Sequence, residues 1–208
     1  MLTAEIRWFF EKTTILDALE QRLEPLLHFS ESSKRTDYYL IGAGARLGIK
    51  WREGNIEIKQ QQADAKPYHQ EALAGELEFW KKWSFKLENR DNYPDKLDTQ
   101  HWVSISKHRK QALLKYNETQ QTAVPLPSGS EAKNICEVEI TRGLVDNDTY
   151  FTVGLEAFGY SASLRENLVA TIDYLLKSGN LEGLDLSASY SSNYARWIQA
   201  KFNDHLPN

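Results

Sequence analysis

The sequence predicts an α+β fold in which an antiparallel β-barrel, or tunnel, of about eight strands is flanked by helices. Three observations point there. Apolar and polar residues alternate with a period of two in segment after segment. Two longer segments carry the apolar stripe of an amphipathic helix. That many strands in an open sheet would leave long unpaired edges, so the sheet must curl and close.

Taken in order, residues 2–10 (LTAEIRWFF) read as a strand, with Glu5 and Arg7 alternating with Ile6 and Trp8. A helix follows, capped by Thr13 or Thr14, with Ile15, Leu16, Leu19, Leu23, Leu26 and Leu27 on its stripe until about His28. Ser30 to Thr36 reads as polar loop. From Asp37 three short strands form a meander, DYYLIG, ARLGIKW and GNIEIKQQ, separated by turns at Gly44 and at Glu53-Gly54-Asn55. Residues 75–87 read as one long strand, then HWVSISKHR and QALLKY as a hairpin turning within residues 107–111. Thr122 to Lys133, with Pro125, Pro127 and Gly129, reads as loop. The clearest hairpin pairs NICEVEITRGLV with TYFTVGLEAFG across Val145–Asp148. Leu164–Leu176 is an amphipathic helix, and Ser189–Phe202 holds a short closing one.

The whole chain, 1–208, reads as one domain: it shows no repeat and no linker between hydrophobic blocks, and six Trp, ten Tyr and eight Phe supply a sizeable core. The longest apolar run is far shorter than the roughly 20 residues of a membrane span. The first 20 residues are broken by charges that a secretory signal would lack, and the single Cys136 gives no internal disulfide, so a cytoplasmic location is expected. A net charge of −4 gives no strong nucleic-acid signal. Nothing in the pattern sets the oligomeric state.

The strands carry charge on their second face with unusual regularity: Glu5 with Arg7, Arg46 with Lys50 and, at the strand end, Arg52, Glu57 with Lys59, Lys107 with Arg109, Glu137 with Glu139, and Glu156. Such faces are either a plain solvated exterior or the lining of an aqueous interior. Amphipathic helices packed outside a barrel demand an apolar exterior, which places the charges inside. An interior of Arg, Lys and Glu suits a phosphate chain, with cations on its oxygens and carboxylates on a bridging divalent metal.

Several patterns resemble the CYTH-like, triphosphate tunnel fold of adenylate cyclase class IV, thiamine triphosphatase and inorganic triphosphatases. They are Glu5-Ile6-Arg7-Trp8-Phe9, Arg46-Leu47-Gly48-Ile49-Lys50 followed by Ile56-Glu57-Ile58-Lys59, Lys107-His108-Arg109, and Cys136-Glu137-Val138-Glu139 with Gly154-Leu155-Glu156. The resemblance implies a tunnel for a phosphorylated or polyanionic small molecule, with Arg7, Arg46, Lys50, Lys59, Lys107 and Arg109 as anion ligands. It also implies Mg²⁺ or Mn²⁺ on Glu5, Glu137, Glu139 and Glu156, and, if the chain is an enzyme, metal-assisted attack of water on a terminal phosphoryl group. The family's N-terminal strand reads Glu-x-Glu-x-Lys. Here its second Glu is Arg7 and its Lys is Phe9, so a cation stands where a metal carboxylate is expected. That departure favours the alternative of a non-catalytic binding or interaction module whose interior charges neutralise one another.

Other chemistries find little support. His28, His69, His101, His108 and His205 show no metal spacing, GAGARLG at residues 42–48 lies between two strands and reads as a turn, and there is no nucleophile elbow. Cys136 reads as a buried small hydrophobe. Trp80 and Trp51, beside Lys residues, are candidates either for stacking on a base or for covering the barrel rim.

Overall fold

In a computed structural model the described residues are 1–30, 32–87, 97, 100–179 and 181–202. Strand β1 (Leu2–Phe10) leads into helix α1 (Thr13–Leu23). There follow β2 (Ser33–Leu40), β3 (Leu47–Arg52), β4 (Asn55–Gln61), β5 (Lys66–Gln70), β6 (Leu73–Lys86), β7 (Trp102–Asn117), β8 (Thr122–Pro125), β9 (Ile135–Val145) and β10 (Asp148–Phe158). Helices α2 (Leu164–Gly179) and α3 (Tyr194–Phe202) end the described chain. Eight strands pair antiparallel in the order β1-β10-β9-β7-β2-β3-β4-β6, and β6 returns to β1 through Leu2↔Lys81 to Glu5↔Glu78. The sheet is therefore a closed barrel, and β5 and β8 extend β6 and β7 beyond it.

Two-residue turns set the register of the tightest hairpins. Asp146 and Asn147 both have positive φ (46° and 68°), as do Glu53 and Gly54 (49° and 78°), the handedness that matches the twist of the flanking strands. Strand β7 runs unbroken through the stretch expected to turn, because Lys107–Gln111 contains no Gly, Pro, Asn or Asp to reverse the chain. Its period of two carries Val103, Ile105, Lys107 and Arg109 to the interior without a slip.

Three further expectations are corrected. The predicted loop before Asp37 is strand from Ser33, where Lys34 and Arg35 pair with His108 and Lys107; Glu31 lies outside the described residues. Short β8 occupies part of the Thr122–Lys133 stretch read as loop, and β5, with Pro67, is a further short strand; as added edge strands both tolerate a missing N–H. Helix α1 stops at Leu23 because Pro25 cannot continue the ladder, and Lys12, without a side-chain cap bond, holds the N-cap position expected of Thr13 or Thr14.

The structure has two apolar cores. Outside the barrel, Ala4, Ile6, Trp8 and Phe10 of β1 and Val138 and Ile140 of β9 pack under Leu16, Leu19 and Leu23 of α1 and Leu168, Ile172 and Leu175 of α2. The Trp8 indole N–H donates to the Ala74 carbonyl at 2.8 Å, and Asn167 ties α2 to β9 by donating to the Ile135 carbonyl at 2.8 Å. Inside one end of the barrel, Phe9, Tyr39, Ile41, Val103, Ile105, Val145 and Tyr150 pack against Ile198 and Phe202 of α3. That helix packs as a stopper against the interior residues at this end, and the charged part of the interior lies beyond it as a cup.

Leu168 is fully buried where α2 meets the outer core. Leu168→Ala should cost about 2–5 kcal/mol in urea denaturation through lost burial and the residual cavity. A change within 0.5 kcal/mol would mean that α2 does not seal the barrel wall.

Candidate functional site: a charged cup

Above the α3 stopper the remaining interior is a cavity of about 260 Å³. Its wall carries eight Lys or Arg against five Glu, and Asn193, Tyr194 and Ala195 at the start of α3 line it from the stoppered side. Of the predicted anion and metal ligands, Arg7, Lys50, Lys59, Lys107, Arg109, Glu5, Glu137, Glu139 and Glu156 all line it. Arg46 does not. It stands just ahead of β3, its carbonyl accepting from the Gln61 N–H at 2.9 Å, and its exposed guanidinium meets Asp64 at 2.8 Å on the surface.

The charges fall into two networks. In the first, Arg7 donates from Nη1 to Glu139 Oε1 and to Thr152 Oγ1, both at 2.9 Å, and from Nε to Glu5 at 3.2 Å. Arg109 donates to the other Glu139 oxygen at 2.9 Å. Lys59 pairs with Glu5 and, at 2.9 Å, with Glu156. In the second, Asp37 is met by Arg35 Nε at 3.1 Å, Lys107 at 3.2 Å and Lys50 at 3.5 Å. Glu57 is met by Lys50 at 3.1 Å, Lys82 at 3.2 Å and Arg52. Lys107 also donates to the Tyr39 hydroxyl at 2.7 Å and lies 3.6 Å from the centre of the Tyr194 ring.

Burial alone would raise the carboxyl pKa values, but the neighbouring cations outweigh it: Arg7 and Arg109 hold Glu139, and Lys107 and Lys50 hold Asp37, well below the usual range. Lys59 and Arg7 likewise lower Glu5. Glu137 moves upward through burial and the neighbouring Glu139 charge. Lys107 moves well down, because burial and then Lys50 oppose the pull of Asp37.

The strand sequences make room for this. Gly154 sits opposite Arg7 in the β1–β10 ladder, and a Cβ there would fall 2.4 Å from the guanidinium carbon. Gly143 stands opposite Tyr150 in the same relation, a Cβ falling 2.1 Å from that ring. Each glycine lets one large inward side chain lie flat across the neighbouring strand. Phe9 stacks on Trp197 at 5.0 Å and meets Tyr194 edge-on at 5.2 Å, so it belongs to the stopper.

The divalent metal implied by the family resemblance does not fit these residues. Glu5, Glu139 and Glu156 are each engaged by an internal cation, and Arg7 occupies the space between Glu5 and Glu139. Among the described residues no group of three carboxylate, His or Cys side chains is arranged to hold a metal ion. His108 is exposed and bonded to Ser32, and His205 lies outside the described residues. Cys136 is fully buried, its thiol pKa pushed up to about 12 by desolvation, as befits a core residue.

The sequence reading did not assign Arg35, Asp37 or Tyr39 to the site. The signal was there in the alternation Arg35-x-Asp37-x-Tyr39, hidden by placing the strand's start at Asp37. Glu57 and Arg52 belong to the charged strand faces that the alternation marks, and Lys82 of β6 and Tyr194 at the start of α3 join them in the lining. Trp80 faces the cavity yet is buried, with its N–H on Glu78 at 3.1 Å, and Trp51 is buried against Tyr38, so neither offers a free stacking face.

Comparison of the sequence finds no matching protein family and no matching curated protein. Among solved structures the chain is similar to the PH1819 protein of Pyrococcus horikoshii (12% identity, 96% of this chain and 99% of that one, TM-score 0.45). It is also similar to the mimivirus capping enzyme triphosphatase (9%, 84% and 88%, 0.46) and to an RNA triphosphatase of Schizosaccharomyces pombe (8%, 98% and 81%, 0.40). Scores this low describe a similar course of chain, and the function has to be argued from the cup's own residues. No described helix is long and apolar enough to cross a membrane.

Two outcomes are expected. Arg7→Ala removes one of the two cations that each of Glu5 and Glu139 meets, leaving Lys59 and Arg109 in place, and should cost about 1–3 kcal/mol, while Gly154→Ala in the native background should cost about 1–3 kcal/mol by displacing the guanidinium. In the double variant the glycine effect should largely vanish. Strict additivity in denaturation midpoints would mean that the two positions are independent. On acidification, Glu139 and Asp37, whose folded pKa values are lowered most, contribute stability that is full above about pH 5 and is lost as pH falls through and below the ordinary carboxylate range. Raised Glu137 and Glu78 act in the opposite sense with smaller shifts. Urea midpoints should therefore drop between pH 5 and pH 3, and a flat or rising profile would contradict the paired interior.

Proposed function

We propose that the cup binds a phosphorylated or otherwise polyanionic small molecule, held by the cations around Asp37 and Glu57, and that it does so without a bridging divalent metal. The observation that carries this reading is the imbalance of the second network. Five cations, Arg35, Lys50, Arg52, Lys82 and Lys107, surround only two carboxylates. Like charges gathered in a partly desolvated wall repel, and an anion in the cavity relieves that repulsion with charge-assisted hydrogen bonds.

The cavity's size limits the occupant. At about 260 Å³ it falls below the roughly 300–1,000 Å³ of pockets that enclose drug-sized ligands, so it suits one or two phosphoryl groups on a small body. Hydrolysis through two metals is not part of the proposal, since the carboxylates that would hold them already neutralise Arg7, Lys59 and Arg109. The balanced first network favours a second reading, a self-neutralised module whose interior serves only the fold. The excess in the second network argues against extending that reading to the whole cup.

Pyrophosphate titrated calorimetrically in the presence of EDTA should bind, more weakly as salt rises. Lys50→Ala with Lys82→Ala should weaken it by at least about tenfold, or 1.4 kcal/mol. Both carboxylates keep partners in that variant, Arg52 on Glu57 and Lys107 and Arg35 on Asp37, so it should fold. No heat with any phosphate, or heat only with added Mg²⁺, would overturn the reading.

A further inference from the structure

The two networks stand on different parts of the barrel wall. The cation-rich one is built on β2, β3, β4 and β6, with Lys107 reaching in from β7. The other is built on β1, β9 and β10, with Lys59 and Arg109 reaching in from their flanks. Within the second wall, Arg7, Lys59 and Arg109 balance Glu5, Glu139 and Glu156, and Glu137 is left over. It lines the cavity, and among the described residues no cation pairs with it. One wall of the cup therefore carries excess positive charge and the other an unmatched carboxylate.

A uniformly anionic ligand satisfies the first wall and places like charge beside the second. A ligand with an anion at one end and a protonated amine at the other satisfies both. We infer that the cup is built for a compact dipolar ligand, an amine-bearing phosphate ester, whose phosphoryl group sits among the cations around Asp37 and Glu57 and whose ammonium group pairs with Glu137. This inference rests on the phosphate-binding reading above and goes further in naming the ligand's second end.

Glu137 suits the role for a physical reason. Its carboxylate lines the cavity and, among the described residues, meets no cation within ion-pair distance, so an arriving ammonium supplies the charge partner that the wall does not. Gln111 stands directly across the β7–β9 ladder from Glu139, lines the same cavity and adds a neutral hydrogen-bonding group beside Glu137. Arg109, on the same stretch of wall, holds Glu139 from Nη1 and so is already engaged by that carboxylate.

The test compares O-phosphoethanolamine with ethyl phosphate, which has the same phosphate and no amine, by NMR-monitored titration of the full chain with EDTA at pH 7. The amine should tighten binding by about tenfold. In Glu137→Gln that advantage should fall to about threefold or less, with ethyl phosphate bound as before or more tightly. Glu137 holds no internal cation, so the variant strands no charge and should fold, which circular dichroism checks. Equal affinity of the two esters for the unsubstituted protein overturns the dipolar ligand while leaving a phosphate site. An amine advantage that survives Glu137→Gln overturns the role of that residue. Binding of neither ester overturns both the dipolar ligand and the phosphate site.

Discussion

A barrel with helices on its outer face has one place left for the charged face of its strands. Here α1 and α2 cover the outside of β1 and its neighbours with Leu and Ile, which fixes Ile6, Trp8 and Phe10 outward and, by the period of two, Glu5, Arg7 and Phe9 inward. The same parity is then imposed round the ring by strand pairing. A one-residue slip in any strand would bury its charges against helices and empty its apolar residues into the cavity, so the charged interior and the register hold each other in place. Desolvating that many ions is expensive, and the interior tolerates it because nearly every carboxylate meets a cation within hydrogen-bonding distance.

The stopper divides the interior into a dry part and a polar part. Tyr194 is the boundary: its ring meets Phe9 and Tyr39 on the stopper side, and Lys107 and Arg7 lie over it at 3.6 and 5.1 Å from its centre. A ring face is the one apolar surface that cations approach favourably, so an aromatic floor can end a core and begin a charged site without a layer of water between them. Asn193, just ahead of α3, secures the join by accepting from the Arg196 N–H and donating to Glu78, both at 2.8 Å.

Most of the barrel was legible from the sequence because its strands obey the simplest rule available, alternation, and because the β9–β10 turn carries residues that tolerate positive φ. What was misread lies where local signals compete with pairing. Ser33–Thr36 is polar on both faces and looked like loop, yet β7 offers it a full partner edge. Lys107–Gln111 looked like a turn on polarity alone, although no residue there can make one. Of the charged residues, Glu5, Glu137, Glu139 and Glu156 were placed in the interior correctly. Their partners were not foreseen, because parity gives a face but not the neighbour across the barrel. The exposed Arg46 shows the converse limit: it shares the parity of Lys50 but sits at the strand's end, where its long side chain reaches Asp64 on the surface instead of the cavity.

The departures from the Glu-x-Glu-x-Lys pattern become coherent once their neighbours are included. Arg7 needs the bare backbone at Gly154, and two carboxylates on different strands close around it. Phe9 needs Trp197 and Tyr194 of α3, and without it the stopper would lose its central ring. Both residues of β1 organise the structure: Arg7 gathers the acidic wall into a neutral lattice, and Phe9 anchors the end that closes the cup. With that wall internally satisfied, the charge without a full internal counterpart lies in the cations around Asp37 and Glu57 and in the one carboxylate, Glu137, that the lattice leaves out.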